Sequence, residues 1–255
     1  MPGGLVTLTV DGSPMQTYVA VPDADGPFPA VVVAQHQSGV DAFIRSACDR
    51  LAEAGYAAAA PDQYHRSEQE VGFDELTALQ RSDPRRDQVI LPMAEKLLDE
   101  EIVRDLTAAL DHLTSLPQVG DTIGVTGFCM GGRAAYLMAT RNASLKAAAC
   151  FYPGNAFKPR GGGPSPFAAT DRIVAPMYIF HGLDDQNPSP DDVARMDAEL
   201  TRMNKPHTIQ AYEGAAHAFM DPSNVRGYRE HAAADAWPKL LAFFDEKLKG
   251  AVVAG

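Results

Sequence analysis

Hydrophobic positions along the chain switch repeatedly between a two-residue and a three-to-four-residue period. "GLVTLTV" (4–10) and "MQTYVAV" (15–21) predict two strands meeting at "DGSP", where glycine and proline favour a turn. "PAVVVAQ" (29–35) is a continuous β-branched run, as expected of a strand buried on both faces. From Asp41 onward, Phe43, Ala47, Leu51 and Ala54 recur on one helical stripe that Gly55 ends. "AAAAPD" (57–62) reads as a short strand. Residues 63–93 are polar, charged and weakly periodic, and read as an excursion over the surface. Leu98, Ile102, Leu106, Ala109 and Leu113 then mark a long helix. Strand 122–127, helix 130–141, strands 146–152 and 176–182, helix 190–204 and strand 208–214 follow, with "RGGGPSP" (160–166) as a surface loop. A last helix near 228–249 carries Pro238, which should kink it or delay its regular part. Strands alternating with helices, without an internal repeat, predict one mostly parallel sheet with helices on both faces. Residues 1–255 are expected to form a single α/β domain.

Composition narrows the partners. The chain is 45% hydrophobic and 22% charged, as ordinary globular proteins are. Its formal net charge of -11 repels phosphate backbones and anionic lipid, so neither nucleic acid nor a membrane surface is expected as a partner. Three cysteines (Cys48, Cys129 and Cys150) are too few and too far apart for a disulfide framework or a zinc site. No metal cluster, phosphate-cradling loop or dinucleotide fingerprint stands out, so no metal and no cofactor are expected. "MPGGLVTLTV" has no basic region before an apolar core, and no run reaches the roughly 18 apolar residues of a membrane span. The expectation is a cytoplasmic protein.

The chemistry concentrates at "GFCMGG" (127–132), between a predicted strand and a predicted helix. That setting suits a nucleophile elbow, a turn so tight that Gly127 and Gly131 must stay small. It raises Cys129 above the sheet at a helix N-terminus, where unpaired N–H groups favour a thiolate. A nucleophile needs a base, and the base an orienting group. "FHGLDDQNPSP" ends a later strand with Asp184 and Asp185, and "YEGAAHAF" ends the next with His217. The order nucleophile, acid, histidine fits, and the spacing from Gly182 favours Asp185 over Asp184. Cys48, Cys150 and His181 read as structural.

"AQHQSGVDAFIR" (34–45), "GYAAAAPDQYHR" (55–66), "GFCMGG", "HGLDD" (181–185) and "GAAHAF" (214–219) together resemble the dienelactone hydrolase family, a branch of the α/β-hydrolase fold that uses cysteine. The resemblance runs from about residue 30 to the end and is weakest over 67–93. It implies Cys129 as nucleophile, His217 as base and Asp185 as its orienting acid, with the backbone N–H groups of Gln37 and Met130 as the oxyanion hole. Two departures stand out. His36 occupies the place of a family glutamate that helps generate the thiolate, so it either activates the thiol or merely lines the pocket. Where the family anchors a substrate carboxylate with an arginine after the histidine, this chain has Asp221, which would repel it. Arg81, Arg85, Arg86 and Arg226 are the candidate anchors.

The thiol restricts the substrate independently of family. A thiol ionises near ~8.5, far below an alkanol, so the tetrahedral intermediate of a simple alkyl ester expels the thiolate rather than the alkoxide. Acylation succeeds when the departing group is itself stabilised, as an enol, a phenol or a thioester sulfur. The expected activity is opening of enol-lactones or activated carboxylic esters through a thioester acyl-enzyme. The alternatives are a general carboxylesterase or thioesterase of the same fold, a cysteine redox sensor, and a binding module on an inactive scaffold.

Overall fold

The structure, a computed structural model, describes residues 3–67, 72–79 and 83–250. A two-residue turn at Asp11 and Gly12 closes a hairpin in which β1 (Gly4–Val10) and β2 (Ser13–Ala20) pair antiparallel, Val10 opposite Ser13. Asp11 and Gly12 both have positive φ, the geometry whose twist matches the flanking strands. Six further strands are β3 (Phe28–Ala34), β4 (Ala57–Pro61), β5 (Val119–Phe128), β6 (Ala147–Phe151), β7 (Met177–Gly182) and β8 (His207–Tyr212). They form one sheet in the order β1-β2-β4-β3-β5-β6-β7-β8. β2 meets β4 antiparallel, and every pairing from β4 to β8 is parallel.

Strand alternation divides the apolar residues between two cores. On β3, Ala30, Val32 and Ala34 face one side, where α4 (Asp99–Thr114), α5 (Met130–Arg141) and α6 (Pro190–Arg202) pack through Leu106, Leu137 and Met196. Val31 and Val33 face the other, covered by α1 (Ala42–Glu53) and α7 (Glu230–Phe244) through Ile44, Leu51 and Leu240. Alanine-rich β4 and β6 are wholly buried, and small side chains there let helices approach both faces. The architecture is the α/β one expected: a single mostly parallel sheet between helical layers. No helix among the described residues is long and apolar enough to cross a membrane.

Several local expectations are corrected. The excursion at 63–93 contains α2 (Phe73–Ala78) and the start of α3 (Arg86–Lys96). Their periodicity is weak because both are short, α3 contains Pro92, and few of their residues reach the core. Residues 68–71 and 80–82 of that stretch lie outside the described residues. Leu98 caps the N-terminus of α4 and is 44% exposed, its place in the core taken by Leu97. The buried stripe of α1 is Ile44, Ala47, Cys48, Leu51 and Ala52, with Phe43 and Ala54 only half-buried. Pro238 neither starts nor ends α7, which begins eight residues earlier and continues as one wider turn over Asp245–Lys249.

The chain leaves β3 outward to β4 and later returns to β5 on the other side of β3. Loops after β3 and β5 therefore diverge at the carboxyl edge of the sheet, and a crevice opens between them, the usual ligand position in open parallel sheets.

Candidate active site

Cys129 is the residue between β5 and α5, with φ 58° and ψ −117°. Positive φ in a non-glycine residue costs on the order of 1–3 kcal/mol, which the surroundings must hold in place. The Cys129 N–H donates to the Phe151 carbonyl at 3.0 Å, and its carbonyl accepts the Arg133 N–H at 3.1 Å. A methyl on Gly127 would overlap the Gly131 carbonyl, and one on Gly131 the Ala34 carbonyl, so neither position tolerates a side chain. The expected tight elbow is therefore present, with the thiol half-exposed at the start of α5. Cys48 and Cys150 are fully buried in opposite cores, and burial pushes both thiols up, away from ionisation.

Three residues beyond β7, Asp185 is 1% exposed while Asp184 points outward. Asp185 accepts the Asn187 N–H on Oδ1 and contacts His217 Nδ1 through Oδ2, each at 2.9 Å. His217 also packs edge-on against Tyr152, ring centroids 5.1 Å apart. Burial alone would lower the histidine pKa. The Cys129 charge, hydrogen bonds to Asp185 and Cys129, and the Asp185 charge outweigh it and push the pKa up to about 10. A negative charge on Cys129 and a positive one on His217 therefore favour one another, with the Asp185 carboxylate behind the imidazole. Four of the six non-glycine residues with positive φ among those described lie here: Cys129, Tyr152, Asn155 and Ala218. Such strain gathers where a fold holds a fixed constellation.

Cys129 and His217 open into a cavity of about 290 Å³. One wall is the turn after β3: His36, Gln37 and Ser38 line it, with Gly39 at φ 80° closing the turn onto the His36 carbonyl. Gln37 and Met130 both line the cavity. His36 is 3% exposed, and its Nε2 lies 2.8 Å from Asp41 Oδ2, without the alignment of a directed hydrogen bond. Asp41 also caps α1, accepting N–H bonds from Phe43 and Ile44. His36 is thus itself next to a carboxylate.

Two arginines also line this cavity. Arg86 lines the cavity from the first residue of α3, donating to Ser38 Oγ at 2.6 Å. Arg85, its neighbour, turns outward to Asp83, and Arg226 is exposed elsewhere. Arg81 lies outside the described residues. Asp221 does not line this cavity: it is fully buried, and Oδ1 accepts the Ser223 N–H and hydroxyl, so its charge is not aimed at a substrate here. Sequence reasoning missed Arg160, from the glycine-rich segment expected to be only a surface loop. It lines the cavity, anchored by a hydrogen bond to the Ala94 carbonyl, while burial and the neighbouring Arg133 charge lower its pKa. Nothing in "RGGGPSP" signals this. Burial of Arg133, in a bidentate pair with Asp99 that also holds the Asn155 and Lys158 carbonyls, brings the loop inward.

The chain is similar to known proteins over nearly all its length. The model of the dienelactone hydrolase family matches residues 15–248. A Synechocystis sp. protein provisionally named a carboxymethylenebutenolidase is 34% identical over 247 residues, 96% of this chain and 97% of its own. A solved Klebsiella pneumoniae structure, provisionally identified as a dienelactone hydrolase, superposes with a TM-score of 0.82 at 31% identity, covering 96% of this chain and 98% of that one. A Bradyrhizobium protein, provisionally named a 2-oxo-3-(5-oxofuran-2-ylidene)propanoate lactonase, is 29% identical over 96% of this chain and 94% of its own. With its α/β-hydrolase sheet and its cysteine at the elbow, this chain belongs to the dienelactone hydrolase family and is a hydrolase of that family.

Proposed function

We propose that the chain opens enol-lactones or cleaves activated carboxylic esters through a thioester on Cys129, as a single α/β-hydrolase domain acting in the cytoplasm. The observation that carries this reading is that Cys129, at the strained elbow, shares one cavity with His217, whose Nδ1 meets buried Asp185 at 2.9 Å. The Cys129 thiolate attacks the carbonyl carbon, forming the C–S bond while the π electrons move to oxygen. Backbone N–H groups of Gln37 and Met130 receive that oxyanion. Collapse breaks the bond to the leaving oxygen, which takes a proton from His217. Once the sulfur is acylated its charge is gone. Burial then opposes only Asp185, the histidine pKa falls, and neutral His217 can take a proton from the water that attacks the thioester. The second collapse expels the thiolate and releases the acid.

Arg86 and Arg160 suit a substrate that carries a carboxylate, and the Bradyrhizobium relative's name describes such a compound, an ylidene-lactone bearing a propanoate. His36, beside Asp41, lines the same cavity as the thiol. A redox role is disfavoured, because Cys48 and Cys150 are buried thiols with no tendency to ionise.

Turnover of a panel of enol-lactones, aryl esters and alkyl esters, with mass spectrometry of the quenched enzyme, tests the proposal. Enol-lactones and aryl esters should turn over and leave an acyl mass on Cys129. Cys129→Ala should abolish both, and Cys129→Ser should retain only low activity. Rapid, Cys129-dependent turnover of unactivated alkyl esters or amides would contradict it.

A further inference from the structure

Behind the Gln37 side of the pocket, Tyr64 is fully buried in the turn that follows β4. Its hydroxyl donates to the Gln37 carbonyl at 2.9 Å and lies 3.9 Å from the Met130 sulfur. One phenol therefore touches both residues whose N–H groups receive the oxyanion in the mechanism above. Tyr64 is itself fixed, its N–H donating to Asp62 Oδ1 at 2.9 Å and its carbonyl accepting the Ser67 N–H at 2.9 Å.

The consequence for Gln37 follows from peptide planarity. The Gln37 N–H lies in the same plane as the His36 carbonyl, and that carbonyl is held by the Gly39 N–H at 3.0 Å. The next plane carries the Gln37 carbonyl, held by Tyr64. Gln37 is the hinge between the two planes, and with both carbonyls engaged neither can rotate without breaking a hydrogen bond. Remove the phenol hydroxyl and only the His36 plane remains tied, through a turn whose far end is the conformationally free Gly39.

We propose that Tyr64 is a positioning residue for acyl transfer, its hydroxyl aiming the Gln37 N–H at the developing oxyanion. The inference rests on the reading of Cys129 as nucleophile with Gln37 and Met130 as oxyanion donors. Losing an oxyanion donor outright costs about 10²- to 10³-fold in kcat. A donor that is present but no longer aimed costs less, roughly ten- to a hundredfold.

Tyr64→Phe keeps the ring and deletes the hydroxyl. Four readouts on this variant separate aiming from mere support: kcat and KM on an activated aryl ester, the rate of Cys129 alkylation by iodoacetamide, affinity for a peptide-free aldehyde that forms a hemithioacetal oxyanion on Cys129, and the Gln37 amide resonance. The expected result is kcat down ten- to a hundredfold, with KM and alkylation rate within about twofold of wild type. Aldehyde affinity should fall in proportion to kcat, and the Gln37 amide should shift and exchange faster. Unchanged kcat, or a loss shared equally by alkylation, overturns the inference while leaving the nucleophile in place. Should the variant fold poorly, the Gln37 amide of the wild-type protein decides instead: rapid exchange there shows that the two locks do not hold and ends the proposal. A wild-type enzyme that forms no adduct on Cys129 overturns this inference and the proposed function together.

Discussion

One group of site residues, Cys129, Asp185 and His217, stands at or just beyond the carboxyl ends of β5, β7 and β8. Another, Arg86 and Arg160, arrives from the start of a short helix and from a glycine-rich loop. The first group is placed by the sheet itself: its backbone is continuous with paired strands, and small neighbours such as Gly127 leave it one conformation. The second hangs on polar contacts. Arg160 is tied through its N–H and carbonyl to Asp99, whose carboxylate is shared with buried Arg133. On the proposed reading the contrast separates two tasks: the reacting atoms follow directly from sheet strands, while the groups that would recognise substrate charge sit on segments that can be exchanged with little effect on the fold.

The sharpest way to break this contrast is at the first group. Asp185→Asn keeps size and removes the carboxylate behind His217. The serine-protease counterpart loses about 10⁴-fold in kcat. Here the thiolate still favours the imidazolium, so the expected loss is smaller, about 10²- to 10³-fold. The sign of the pH effect is fixed: Asp185 raises the His217 pKa, so removing it lowers that pKa and moves the alkaline limb of acylation, which needs the imidazolium proton for the leaving oxygen, to lower pH. A variant that keeps the wild-type limb would show that the carboxylate does not act through the histidine.

At the second group the effect should be smaller and confined to binding. Arg160→Met should raise KM for a carboxylate-bearing enol-lactone about ten- to a hundredfold and leave neutral aryl esters within twofold. Arg86→Met should act in the same direction, with the added loss of its hydrogen bond to Ser38. If both substrate classes suffer equally, the two arginines support the pocket rather than reading charge, and the division of labour fails.

The same contrast explains what the sequence revealed. Strand-end chemistry was legible because its constraints are local: a cysteine between glycines after a β-branched run, an aspartate three residues after Gly182, a histidine after the next strand. The sheet order was legible in class, since alternating periods leave few packings. Arg160 was not, because what turns its loop inward is a buried pair made by Asp99 and Arg133, from two different helices. Tyr64 was hidden for a related reason. It lies within a segment that resembles the family, yet its value comes from reaching Gln37, 27 residues away, which no periodicity reports. Leu98 misled in the other direction, because a helix's first apolar residue can satisfy the period and still point to water.

Asp62, just behind Tyr64, gives the smallest and most selective test. Burial pushes its carboxyl up from 3.8 to about 6, against the opposing effects of the Tyr64 N–H and His65, with Asp105 raising it further. A carboxyl harder to ionise folded than unfolded stabilises the fold most below about pH 4, and that advantage is lost as pH rises through 6. Above pH 6 the ionised, buried group is a burden of up to about 3 kcal/mol. Asp62→Asn keeps an oxygen to accept the Tyr64 N–H and removes the charge. Its melting temperature should exceed that of wild type at pH 8, with the difference vanishing by pH 4, and kcat should stay within about twofold. A gain that persists at pH 4 would have to come from packing. A gain at pH 8 accompanied by a large loss of kcat would show that the carboxylate, and not just its oxygen, is needed to hold Tyr64 in place behind Gln37.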